Sequence, residues 1–204
     1  MQISTGPAYE RLLAADRNYH VVFLVVGGLF LLLLVLFSVF AAVRWRRARR
    51  RTFERRSYLW FAAASLALTL FMAVAFWANL TSVVDPRQTL SGTTFSPIGE
   101  TWLRSGRAEI PPVLQQAIDD RLAWQRPKAI ICGVLLVVFV MLTVFLWRTL
   151  IRRSTTGEPF RRLSRTLMLC AAVLSAAVCL LLMVMVIGNA EGAYAPLFPT
   201  VIHG

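Results

Sequence analysis

Four long stretches of this chain contain no aspartate, glutamate, lysine, arginine or histidine: residues 21–43, 57–84, 129–147 and 166–190. Proton relays and ion-coupled transporters usually carry such residues at membrane depth, facing a cavity, so these stretches lend those functions no support. Charge is scarce overall, at 16% of residues, against about 25% in soluble domains. Lysine is nearly missing: Lys128 is the sole example, and arginine supplies every other basic residue. That bias points to a GC-rich bacterial source. Cysteine is sparse too, and Cys132, Cys170 and Cys179 all fall inside apolar runs. Cys170 and Cys179 would stand about 13.5 Å apart along one helix, whereas a disulfide needs Cα atoms within about 7 Å. There is no Cys-x-x-Cys pair, and the three thiols read as small hydrophobes.

Chemistry-bearing patterns are equally thin. The two histidines, His20 and His203, lie outside the apolar stretches, so neither is placed as an axial ligand for a membrane haem. Asp119-Asp120 lacks the further carboxylates that a magnesium–diphosphate site needs one turn on, since position 123 is Ala123. No glycine-rich phosphate loop, zinc-ligand spacing or serine–histidine pair occurs. No catalytic residue, metal or cofactor is therefore expected.

What the chain does have is apolar length. It is 57% apolar with a mean hydropathy of +0.63, above the roughly 45–50% apolar of soluble domains. Each uncharged stretch approaches or exceeds the roughly 20 residues needed to cross the hydrocarbon core. Only helices and closed barrels satisfy their own backbone there. The fold expected is all-α: one polytopic membrane domain over residues 1–204, built as a bundle of four transmembrane helices. The first stretch is too long for a signal peptide and lacks a basic leader, so it reads as an uncleaved span.

The net charge of +12 does not point to nucleic acid, because the charges sit in short turns between spans. Fourteen of the 22 basic residues occupy two segments, 44–56 and 148–165. The positive-inside rule places both in the cytoplasm, at a cell membrane, with the termini and the 85–128 loop on the other side. Trp45, Trp60 and Trp147 then mark the inner boundary, and Tyr19, Trp77 and Trp124 the outer one, as interfacial aromatics do. Arg44, Arg46, Arg47, Arg49, Arg50, Arg51, Arg152 and Arg153 are expected to contact anionic lipid headgroups.

Packing is expected to centre on the second and fourth spans, which are rich in small residues. Ser65, Thr69 and Ala73 recur every four residues, as do Ala171 with Ser175 and Ala172 with Ala176; small residues at that spacing let helices approach closely in lipid. Gly27-Gly28 reads as a packing or kink site. The two halves also resemble each other: Phe53-Glu54-Arg55-Arg56-Ser57 parallels Phe160-Arg161-Arg162-Leu163-Ser164, and each half ends near an asparagine, Asn79 or Asn189. A duplicated helical hairpin would produce this.

In the 85–128 loop, Pro86, Gly92, Pro97 and Gly99 read as irregular chain. Val113, Leu114, Ala117, Ile118 and Leu122 recur at helical spacing. They suggest a short amphipathic helix resting on the outer membrane surface and ending at Pro127. The C-terminal tail, too short to cross again, is expected to lie against this loop. Mixed charge and aromatics make Trp102, Arg104, Arg107, Asp119, Asp120 and Trp124 the expected partner-contact residues. The function this suggests is a non-catalytic accessory subunit that binds a membrane protein partner or a second copy of itself. Two alternatives stand beside it. One is a channel or transporter for a neutral or hydrophobic solute. The other is an enzyme acting on lipid-borne substrates through Asp119, Asp120, Glu100 or Glu109 with Arg104 or Arg107.

Overall fold

A computed structural model describes residues 6–50, 52–156 and 162–203. Arg51 and residues 157–161, Arg161 among them, lie outside the described residues. The protein is all-α, with no strand among the described residues. Its helices are α1 (Pro7–Arg47), α2 (Phe53–Val84), α3 (Pro86–Leu90), α4 (Pro97–Ser105), α5 (Pro112–Thr156), α6 (Arg162–Tyr194) and α7 (Leu197–His203). Of these, α1, α2, α5 and α6 are long and apolar enough to cross a membrane, which makes this a multi-pass membrane protein. The chain divides into two compact units, one of residues 29–73 and 131–185, the other of residues 1–28, 74–130 and 186–204.

The first of these is the apolar unit, with segments of all four long helices. Two hydroxyl pairs mark its helix contacts. Ser38 on α1 donates to the Ser65 hydroxyl at 2.9 Å, and Thr143 on α5 lies 2.7 Å from the Ser175 hydroxyl on α6. Ser65 and Thr143 donate to carbonyls one turn back on their own helices, and the single Ser38 O–H has the Leu34 carbonyl as its alternative acceptor, so none enters the membrane unsatisfied. The equivalence of these pairs adds to the likeness of the two hairpins. So does the spacing, because Asn79 and Asn189 each follow their serine by 14 residues.

The sequence placed the tight face slightly wrong. Ser65 and Ser175 are buried and Thr69 is half-buried, but Ala73 and Ala171 are exposed; Met72 and Ala172 are the buried residues beside them. The reason is helical pitch. Eight residues turn about 80° beyond whole turns, whereas seven fall only about 20° short. A strict repeat of four therefore rotates off the contact face by its third member. In the most apolar stretches of α2 and α6, 11% and 22% of residues are buried, against 6% in α1 and in α5. Leu29, Leu36, Val137 and Phe145 are among the large side chains left exposed to lipid.

At the arginine-bearing ends, Arg44 pairs with Glu54 at 3.0 Å and sits over the Tyr58 ring. Arg55 covers Trp45 and Arg165 covers Phe53. Arg46, Arg47, Arg49, Arg50, Arg152 and Arg153 are exposed.

The other unit is a head built from α3, α4, α7 and the adjoining ends of the long helices. Its core comprises Ala8, Leu12 and Leu13 of α1, Leu90, Trp102 and Leu103, Leu114 and Ile118 of α5, and Val201. Three expectations are corrected here. First, the loop is not irregular. Pro86 and Pro97 start helices rather than breaking chain, since a proline in the first turn gives up an N–H that has no intrahelical partner anyway. Asp85 and Ser96 cap those starts. Second, the 113–122 segment is no separate surface helix: it is the beginning of α5, with Leu114 and Ile118 buried in the head rather than laid on lipid. Third, α5 runs through Pro127. The cost is one hydrogen bond to Ala123, and both residues lie on an exposed face, so the freed carbonyl is not buried. The C-terminal tail does lie against the loop segment, as α7 packed on α4.

Candidate functional site

The head offers two places with chemical character. One is a surface groove of about 670 Å³, lined by apolar Pro97, Ile98, Ile110, Pro111 and Val113, with Arg107 and Glu109 among its polar members. Its floor is fixed from below. Trp102 is 1% exposed, and its indole N–H donates to the Glu109 carbonyl at 2.9 Å. Helix α4 begins at Ser96, whose hydroxyl accepts from the Gly99 N–H and donates to the Val201 carbonyl at 2.9 Å. The Ser96 N–H donates to that same carbonyl. The helix stops at Gly106, in the left-handed region at φ 68°, where glycine carries no Cβ penalty.

Of the expected partner-contact residues, Arg104, Arg107, Asp119, Asp120 and Trp124 are exposed. Trp102 is not: it supports the surface and does not form it. Segment 91–109 is thus an integral part of the head core, since it supplies both Trp102 and Leu103. Two of the four carboxylates proposed for an enzyme are engaged locally. Glu100 pairs with Arg104 one turn on, and Asp119 accepts from Gln115 at 3.0 Å. Among the described residues, no three His, Cys, Asp or Glu side chains come together as a metal site.

The second place was missed by the sequence reading. On α1, residues 8, 12, 16 and 20 follow one another at intervals of about one turn, each rotated about 40° from the last. Ala8 and Leu12 enter the head core, and the next position inward is Asp16, 0% exposed. Neither Asp16 oxygen has a hydrogen-bond partner among the described residues, and the same holds for His20 Nε2 and Gln125 Oε1. His20 Nε2 comes within 3.3 Å of Asp16 Oδ1: close enough for an ion pair, but without hydrogen-bond alignment. The other ring nitrogen, Nδ1, lies 2.7 Å from Asn79 Oδ1 on α2. From α6 comes Glu191, also buried, with Tyr19 of α1 beside it. From α7, the Phe198 ring packs on Tyr19 at 5.1 Å and on His20 at 6.2 Å.

Two signals could have found this cluster. Asp16 and His20 are four apart in the helical register of Leu12, and Glu191 directly follows the fourth apolar stretch. Starting the first helix at Val21 and ending the fourth at Ala190, where the charge-free stretches stop, hides both. The helix in fact begins at Pro7, so these residues sit on the same rod as the first span. No protein-family model, curated protein or solved structure matches the chain.

Proposed function

We propose that this chain is a non-catalytic accessory subunit of a cell-membrane assembly, and that its head binds an exposed segment of a membrane protein partner. The arginine-rich ends face the cytoplasm and hold anionic headgroups; both termini and the head face outward. The observation that carries the reading is the groove beside α4. It presents apolar Ile98, Ile110 and Val113 with Arg107 and Glu109 among them, with Trp102 beneath and held to the Glu109 carbonyl. An apolar patch edged by charge suits recognition of a partner segment with complementary side chains. The arginines offer charge and little shape, worth about 1 kcal/mol each near an anionic surface. They anchor and orient.

The test leaves the head core untouched. Tagged full-length chain is recovered from its native membranes in mild detergent, unchanged or as Arg107→Glu with Val113→Asp, or as Arg49→Gln with Arg50→Gln. The groove variant is expected to lose at least about tenfold in partner recovery, the effect of roughly 1.4 kcal/mol. The arginine variant should lose far less. Full recovery by the groove variant would refute the reading and move attention to the lipid-facing spans.

Orientation is checked separately with an impermeant thiol reagent on intact cells. Cysteine at position 105 (Ser105→Cys) should label and cysteine at position 48 (Ala48→Cys) should not. The reverse pattern would invert the topology.

A further inference from the structure

The buried Asp16–His20 pair has a hydrogen-bonding imbalance that its neighbours determine. The Asn79 amide nitrogen donates to the Ala75 carbonyl at 2.9 Å. That contact fixes which end of the amide is oxygen, and the oxygen faces His20 Nδ1 at 2.7 Å. An amide oxygen can only accept, so Nδ1 must carry a hydrogen. A neutral imidazole has one N–H. With that hydrogen on Nδ1, Nε2 would be a bare acceptor 3.3 Å from a carboxylate oxygen. Two acceptors would then face each other where Asp16 is 0% exposed and no water can intervene cheaply. One additional proton removes the conflict, placed either on Nε2 to make an imidazolium or on Asp16 to make a neutral acid.

We propose that Asp16 and His20, oriented by Asn79, form a binding site for one proton that helps hold the head together. The inference does not depend on the partner-binding reading. Its reach follows from what the pair touches. One turn from Asp16 lies Leu12 of the head core; Asn79 brings in α2; Phe198 brings in α7. Loss of the proton leaves like partners opposed at the junction of these three helices. The other titratable groups facing the pair are Glu191 of α6 and Tyr19 of α1, with Arg121 of α5 acting on Tyr19. Glu191 is also a buried acid, so its ionisation would destabilise in the same direction, and the experiment must separate the two.

The sign is fixed. A proton held in the folded state and released more readily in the unfolded chain stabilises at low pH. That stabilisation declines as pH rises beyond the ordinary histidine value of about 6.5. The full-length protein in nanodiscs is melted between pH 6 and pH 9, as wild type, Asp16→Asn, Glu191→Gln and the double variant. One released proton corresponds to a fall in Tm of roughly 2–5 °C per pH unit for a chain of this size. Asp16→Asn places an amide N–H opposite bare Nε2 and supplies the missing donor without a proton. It should melt with a flatter pH profile, and the double variant should be flattest. Glu191→Gln should keep the slope that belongs to the pair. An Asp16→Asn slope equal to wild type would overturn the proposal.

A second readout needs no change at the pair. In ¹⁵N-histidine-labelled protein with His203→Gln, which leaves one histidine, Nδ1 should be protonated throughout the range. A neutral ring protonated on Nε2 alone would also overturn it.

Discussion

Trp102→Ala is expected to melt the head while the four spans stay inserted. Trp102 packs in the cluster that also holds Leu12, Leu114, Ile118 and Val201, and its indole N–H holds the Glu109 carbonyl. Truncation forfeits the burial of the largest side chain in that core, opens a cavity and frees a carbonyl. Large aromatic-to-alanine changes in cores cost about 3–5 kcal/mol, and a head of this size has little stability to spare. Limited proteolysis of the purified protein should then cut within residues 91–111, where wild type resists, while the long helices remain protected. Trp124 provides the contrast. It is 70% exposed and faces outward near Lys128, so Trp124→Ala should stay within about 0.5 kcal/mol of wild type. Similar proteolysis of the two variants would mean that Trp102 is not a core residue.

Gly99→Ala should release α7 from the head. A Cβ at this position would stand 2.3 Å from the Val201 carbonyl oxygen and 2.8 Å from Val201 Cγ1. The nearest atom is backbone, so no rotamer change relieves it. The chain must move apart, and in doing so it breaks both hydrogen bonds from Ser96 to the Val201 carbonyl. Overpacking alone costs about 1–3 kcal/mol, and each lost hydrogen bond adds about 1. The expected result is a C-terminal segment trimmed by carboxypeptidase in the variant and spared in wild type. Gly106→Ala separates steric from conformational cost. Its φ is +68° but nothing lies within 4 Å of the added carbon, so the cost should be about 1 kcal/mol and the tail should stay docked. If Gly99→Ala also leaves the tail docked, the close approach of α4 and α7 is wrong.

The spans were legible because lipid demands uninterrupted apolar length, and 21–43 or 166–190 supply it without ambiguity. Helix caps were legible in principle: Ser96-Pro97 and Gly106 are an ordinary start and stop signal. By number alone the prolines and glycines of 86–99 read as loop; by position, Pro86 and Pro97 are helix starts. Pro127 misled for a related reason. A proline forbids one hydrogen bond, not a helix, and α5 loses that bond on an exposed face. The buried pair was hidden by a boundary drawn at the end of the apolar run. A helix ends where its backbone partners end, not where its side chains become polar.

Composition and periodicity by themselves thus determined that this is an all-α membrane protein with four helices long and apolar enough to cross. These depend on transfer free energies and helical pitch, which act on each segment alone. Only the tertiary structure decided that 85–128 and the tail form one cored head, that Trp102 lies beneath the surface and not on it, that Ala73 turns away from the contact, and that Asp16 and His20 face Asn79 in a buried site. Each of these depends on which side chain meets which across helices far apart in the chain, and no local pattern encodes that meeting.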